Sequence, residues 1–217
     1  MINTNKFQGV FFDLDGTLIY SEALSFRAWN KALEEFNLKI QEQDYSLYIG
    51  KSGNKIEETI KKNLGIDFKE DYLSKKRNEI FEHFIKTEPL KLAPYATKVL
   101  VHFKQQKLSL GLVSAGHREA TLIKLRRTKL LPFFDVIICQ EDVLNKKPLP
   151  EPYLTALLKA GIAPENAMAV EDSQSGVLSA KGAGLFTVAI PNSFTQKQDF
   201  SAANIKMKNL NELIKFT

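Results

Sequence analysis

The stretch Gln8-Gly9-Val10-Phe11-Phe12-Asp13-Leu14-Asp15-Gly16-Thr17 decides how the rest of the chain is read. Its short apolar run, without polar alternation, reads as a buried strand that ends in acids. In extended chain Asp13 and Asp15 point the same way. Gly16 permits a sharp turn, and Thr17 offers an anion a hydroxyl and a backbone N–H. Two like charges at one site are costly unless a cation neutralises them. Acids at the carboxyl end of a buried strand therefore point to a hard metal and to phosphate chemistry, for which Mg2+ is the natural candidate. Chance gives the pattern D-x-D-G-T to about one chain in 750 of this length.

Working outward, apolar runs at Leu108 to Val113, Val136 to Cys139, Ala167 to Val170 and Phe186 to Ile190 read as strands covered on both faces, the habit of parallel sheets. Helical patterns lie between them. Tyr95 to Gln106 carries the stripe Val99, Leu100 and Phe103. Pro152 to Ala160 carries Leu154, Leu157 and Leu158. Ser173 to Gly182 ends on glycines suited to a helix stop. This alternation predicts an α/β fold, a doubly wound parallel-sheet, Rossmann-like core.

Residues 19–88 break the alternation, and no strand is expected there. Phe26, Trp29, Leu33 and Phe36 form one amphipathic stripe. A second helix is expected from near Gly53. A third, from about Lys69 to Lys86, would bury Tyr72, Leu73, Ile80, Phe81, Phe84 and Ile85. The expected organisation is a core of 1–18 and 89–217 with an all-helical cap, 19–88, inserted in it. Pro89 and Pro94 mark the return to the core.

The other strand ends supply complementary parts. Glu171 and Asp172 follow one strand and offer further metal carboxylates. Ser114 directly follows Val113, and Lys147 lies after the strand around Ile138. Alone, Ser114 and Lys147 would be ordinary loop residues. Their arrival in order, each after its own strand, makes them candidate phosphate ligands beside Thr17.

Composition narrows the class. Apolar residues are 44% and charged residues 25% of 217, as in an ordinary globular protein. The net charge is +5, but the lysines are dispersed among acids. Even the densest cationic run, Lys124 to Lys129, reads as a solvated helix face, so nucleic acid is not an expected partner. No run approaches the ~18 apolar residues of a membrane span. Cys139 is the only cysteine and reads as a buried hydrophobe, so a reducing, cytoplasmic setting is the default expectation. His83 and His102 read as structural or solvated, and Phe26 and Trp29 as packing. His117, close after Ser114, is a candidate substrate contact. The oligomeric state is left open.

Taken together, these residues resemble the haloacid dehalogenase-like phosphohydrolase superfamily over almost the whole chain. Asp13 to Thr17, Ser114, Lys147 and Glu171-Asp172 resemble its four motifs. Lys147 to Tyr153 and Val170 to Gly176 resemble the branch of phosphoglycolate phosphatase-like and β-phosphoglucomutase-like proteins, which carries a helical cap. The resemblance implies an Asp13 nucleophile and an Asp15 general acid and base. It implies Mg2+ on Asp13, Asp172 and the Asp15 carbonyl, with Glu171 as a further ligand or a holder of bound water. Thr17, Ser114 and Lys147 would grip the phosphoryl group of a small phosphorylated metabolite. Mutases of this branch commonly carry a His ten residues after the acid/base Asp, where this chain has Ser25. They also carry an Arg in a cap loop, where this chain reads Gly50-Lys51-Ser52-Gly53-Asn54. These departures favour a phosphatase over a phosphosugar mutase, and a non-catalytic phospho-ligand binder is the third reading. Lys51, Ser52 and Asn54 are the candidate cap contacts.

Overall fold

Four residues without exposed surface, Gly9–Phe12 (β1), form the central strand of the sheet. The computed structural model describes residues 7–45, 48–49, 53–67 and 69–215. β1 pairs in parallel with Ser109–Val113 (β4) on one side and Ala167–Glu171 (β6) on the other. Val136–Ile138 (β5) extends the sheet beyond β4. Phe186–Ala189 (β7) and Ile205–Lys206 (β8) extend it beyond β6. The order β5-β4-β1-β6-β7-β8, parallel throughout, is a doubly wound sheet.

The alternation of side chains along β1 loads both faces. Val10 and Phe12 join a cluster with Val99, Leu100 and Phe103 of α5 (Ala96–Gln105), Leu125 of α6 (Arg118–Arg127) and Leu213 of α9 (Asn211–Ile214). Phe11 joins Tyr153, Ala156 and Leu157 of α7 (Glu151–Ala160) and Ala180 of α8 (Gln174–Gly182). The α7 stripe is therefore not the expected one. Leu154 is 45% and Leu158 82% exposed, and the buried edge runs through Tyr153, Ala156 and Leu157. The reason lies in Tyr153, whose hydroxyl must reach Glu171, while the small Ala156 lets the helix approach the sheet.

Between β1 and the rest of the core, Ile19–Tyr20 (β2) pairs antiparallel with Lys91–Leu92 (β3), so a strand does occur at the edge of the helical segment. Two-residue strands such as β2, β3 and β8 are too short to leave a periodic trace in sequence. From β2 the chain enters α1 (Glu22–Leu33), α2 (Glu42–Tyr45), α3 (Gly53–Leu64) and α4 (Tyr72–Thr87), and it leaves through β3. Trp29, Leu33, Tyr45, Tyr48, Ile56, Ile60 and Leu73 are buried together there, with Phe26 and Phe36 packed against them. Tyr72, expected in the α4 stripe, is instead 41% exposed and donates to Glu35 at 3.1 Å. A smaller cluster of Leu24, Ala28, Phe81 and Ile85 packs on Ala120 and Ile123 of α6. Arg127 of α6 donates to the carbonyls of Ile85 and Glu88 at the end of α4. Among the described residues, no helix is long and apolar enough to cross a membrane.

Gly111 of β4 lies under the Phe11 ring, where an added Cβ would stand 2.2 Å from Cδ1. Both groups are fully enclosed, so the ring has nowhere to move. Gly111→Ala is expected to lower stability by about 1–3 kcal/mol, measured as a fall in the urea midpoint with an unchanged slope.

Candidate active site

Backbone bonds hold the carboxyl ends of the strands level. Asp13 N–H donates to the Val170 carbonyl at 3.0 Å, Ser114 N–H to Ile138 at 2.9 Å, and Ile190 N–H to Glu171 at 2.7 Å. The chain leaves β1 for β4 and β5 on one side, then crosses to β6 and β7 on the other. The side chains after β1, β4 and β6 therefore converge where the winding reverses, the usual ligand crevice of such sheets. Gly16, at φ +91°, turns the chain there, and its N–H donates to the Ile19 carbonyl at 2.8 Å.

Lys147 is the centre of the cluster. Its Nζ donates to Asp13 Oδ1 at 2.7 Å, Glu171 Oε1 at 2.6 Å and the Val113 carbonyl at 2.8 Å. Three acceptors match the three hydrogens of an ammonium. Burial alone would lower its pKa, but the Asp13 and Glu171 carboxylates outweigh burial and raise it. Asp13, Glu171 and Asp172 are all buried, and they can present oxygens within 4.8 Å of one another. Burial pushes Asp13 up to about 7, with Glu171 and Asp15 adding to it and Lys147 opposing. Burial and the neighbouring acids also hold Asp172 well above the ordinary carboxylate range.

One ammonium does not balance three carboxylates. Glu171 Oε1 accepts from Tyr153 Oη at 2.7 Å and from Lys147, while its buried Oε2 has no partner. Asp172 Oδ2 accepts from Asn192 Nδ2 at 2.8 Å. An all-oxygen donor set, with excess negative charge and an unpartnered buried oxygen, fits a hard divalent cation. Thr17, 3% exposed, also has a buried Oγ1 with no partner. Ser114, 4% exposed, accepts from the Gly116 N–H at 3.0 Å and lies 3.4 Å from Thr121 Oγ1.

The structure thus joins Asp13 and Glu171 through Lys147 by direct contact, and brings Asp172 within 4.8 Å of both acids. The Asp15 carboxylate is bonded to Ser21 and Lys124 and is not one of the three clustered acids, so its backbone carbonyl is the atom that could serve a metal. His117 stands at the start of α6, half exposed, with Nδ1 3.0 Å from Glu141 Oε1. Lys51 and Ser52 lie outside the described residues, and so does the side chain of Asn54, whose backbone is in the first turn of α3.

Sequence reasoning missed four residues here. Lys124, read as part of a solvated run, is 1% exposed and ion-paired with Asp15, whereas Arg126 and Lys129 are indeed exposed. The run conceals a helix face: Thr121, Lys124 and Leu125 are the buried positions of α6. Glu22 is buried, and burial, aided by Asp15 and Asp13, pushes its carboxyl up to about 8. Tyr153 and Asn192 support the acids from neighbouring elements.

Residues 10–190 match the haloacid dehalogenase-like hydrolase family, and the chain belongs to it. It is 30% identical to the CbbY protein of Rhodobacter capsulatus, covering 94% of each chain. It is 32% identical to a phosphorylated carbohydrates phosphatase of Thermotoga maritima, covering 82% of each. The crystal structure of CbbY from Rhodobacter sphaeroides in complex with phosphate superposes with a TM-score of 0.84 at 26% identity, over 95% of this chain and 96% of that one.

Gly176 of α8 backs directly onto Glu171, and a Cβ there would lie 2.0 Å from its carboxyl group. Gly176→Ala must displace that carboxylate from Lys147 and Tyr153. Titration calorimetry with Mg2+ is expected to show affinity weakened about tenfold or more, with the far-ultraviolet circular dichroism unchanged.

Proposed function

We propose that this phosphatase hydrolyses a small phosphomonoester, a sugar phosphate or a phosphoglycolate-like compound, through an aspartyl-phosphate on Asp13 and with Mg2+. The observation that carries the reading is the placement of Asp13. Its carboxylate is bonded to the Lys147 ammonium and set among buried acids, at the end of the central strand. Two anions, carboxylate and phosphate, can meet there only because cationic charge is built in beforehand.

An Asp13 oxygen attacks phosphorus while the bond to the ester oxygen breaks, and Asp15 gives that oxygen its proton, releasing the alcohol. Asp15 then takes a proton from water. The water oxygen attacks phosphorus, the bond to Asp13 breaks, and inorganic phosphate leaves. Lys147, the Thr17 hydroxyl and Ser114 hold phosphoryl oxygens throughout. Asp13 and Asp172, with the Asp15 carbonyl and Glu171, would hold Mg2+, which offsets their charge and polarises the phosphoryl group when bound. Positioning and charge stabilisation are most of what phosphoryl transfer requires.

Residues 19–88 are read as a cap that covers this site and selects the substrate, with β2 and β3 as its two connections. The mutase alternative gains no support at Ser25. That hydroxyl accepts from Tyr45 Oη at 2.7 Å and from Arg77, and neither is a group that gates phosphate transfer by protonation at neutral pH.

Phosphate release from a panel of sugar phosphates and short phosphorylated acids, with Mg2+, tests the reading. Release abolished by EDTA and by Asp13→Asn is expected. Interconversion of sugar-phosphate isomers without net phosphate release would replace the phosphatase by a mutase.

The raised carboxylates add a pH signature. A group whose folded pKa lies at about 7, above its unfolded 3.8, keeps its proton in the native state while the unfolded chain ionises. Stability from this source is therefore lost as pH rises from about 4 to 7. Mg2+ competes with those protons, so its stabilisation of the melting midpoint is expected to be several degrees larger at pH 8 than at pH 5. An equal shift at both pH values would count against the acid trio as the metal site.

A further inference from the structure

We propose that Lys124 is a positioning residue for Asp15, fixing the carboxylate from behind so that its open side meets the leaving group. The inference rests on the reading of Asp15 as the general acid and base. Lys124 Nζ contacts both carboxylate oxygens, Oδ2 at 2.5 Å, and Ser21 Oγ donates to Oδ1. The two donors come from separate segments, Ser21 from between β2 and α1 and Lys124 from α6, so together they fix both the place and the plane of the carboxylate. The side chain of Lys124 is 1% exposed and that of Asp15 is 33% exposed. The ammonium therefore approaches from the protein side and leaves the other face of Asp15 free for an incoming ester.

A lysine is an expensive way to fill this position. A buried ammonium is costly without a counter-charge, and a buried ion pair commonly adds no stability over apolar residues of similar volume. Leu or Met would pack against the Phe81 ring of α4, which now lies 5.7 Å from Nζ. Stability does not account for the lysine; orientation of Asp15 does. Proton transfer depends on the acid standing within hydrogen-bond reach of the leaving oxygen, and small misplacements are costly in rate. The same face of α6 presents Thr121 to Ser114, one turn before Lys124. The helix thus braces site residues that follow two different strands.

The test compares Lys124→Met, Lys124→Arg and Asp15→Asn with the wild type. Each is assayed with an alkyl phosphomonoester and with p-nitrophenyl phosphate, whose leaving group needs no proton. The readout is kcat/KM, which reports the step that forms the aspartyl-phosphate. Inhibition by inorganic phosphate and the melting midpoint are measured alongside. Lys124→Met is expected to lower kcat/KM about 100-fold on the alkyl ester and less than about tenfold on the aryl ester. Inhibition by phosphate should be unchanged, and Lys124→Arg should recover at least part of the alkyl-ester activity. Equal losses on both esters, wild-type rates on both, or weakened phosphate inhibition would each overturn the proposal. Asp15→Asn separates the two levels. If it shows no difference between esters, the acid–base reading itself fails; if it does and Lys124→Met does not, only the role of Lys124 fails.

Discussion

Carboxylates held out of water at the ends of two parallel strands set the terms for the whole molecule. Asp13, Glu171 and Asp172 are buried, and their mutual repulsion is opposed inside the protein chiefly by the Lys147 ammonium. Buried charge without a partner is among the most costly arrangements a fold can contain. Much of the local architecture follows from containing it. Tyr153 turns α7 so that its hydroxyl reaches Glu171. Gly176 thins α8 so that the same carboxylate fits beneath the helix, and Asn192 reaches from beyond β7 to Asp172. Even so, containment is incomplete. The raised acids and the unpartnered Glu171 oxygen describe a site that fits a divalent cation.

The parallel sheet is what makes this concentration of charge feasible. Strands covered on both faces leave only their ends for polar groups, and parallel pairing brings those ends to one edge. In β1, Val10, Phe11 and Phe12 secure the sheet to helices on both sides, so Asp13 projects from a rigid support. The strand that carries Asp13 is thus anchored by apolar clusters on both faces of the sheet.

The legible part of the sequence was what had a short-range signature. An apolar run ending in D-x-D-G-T, and later runs each followed by Ser114, Lys147 or Glu171-Asp172, carry strand and site together. What escaped detection depends on geometry between elements. β2, β3 and β8 are too short to show a period. Leu154 and Leu158 look like a stripe, and only the demand of Tyr153 for Glu171 turns that edge of α7 outward. Lys124 is hidden in a run of basic residues in which Arg126 and Lys129 are exposed. Its partner is Asp15, a residue 109 positions earlier. Asn192 belongs to a polar turn with no local mark of its use.

That turn also joins two parts of the molecule that the break in strand-helix alternation suggests are separate. Asn192 Oδ1 accepts from the Phe194 N–H at 2.8 Å while its Nδ2 holds Asp172. The Phe194 ring packs edge-on against Tyr45, at 5.9 Å between centroids, within the apolar cluster of the helical segment. Tyr45 in turn donates to Ser25 of α1. The helical segment and Asp172 therefore both contact the same short turn. On the opposite side, α6 holds Asp15 through Lys124 and the end of α4 through Arg127. Both the acid trio and the acid/base candidate are thus tied, by two or three side chains each, to the helical segment. The position of those helices and the geometry of the carboxylates are set together.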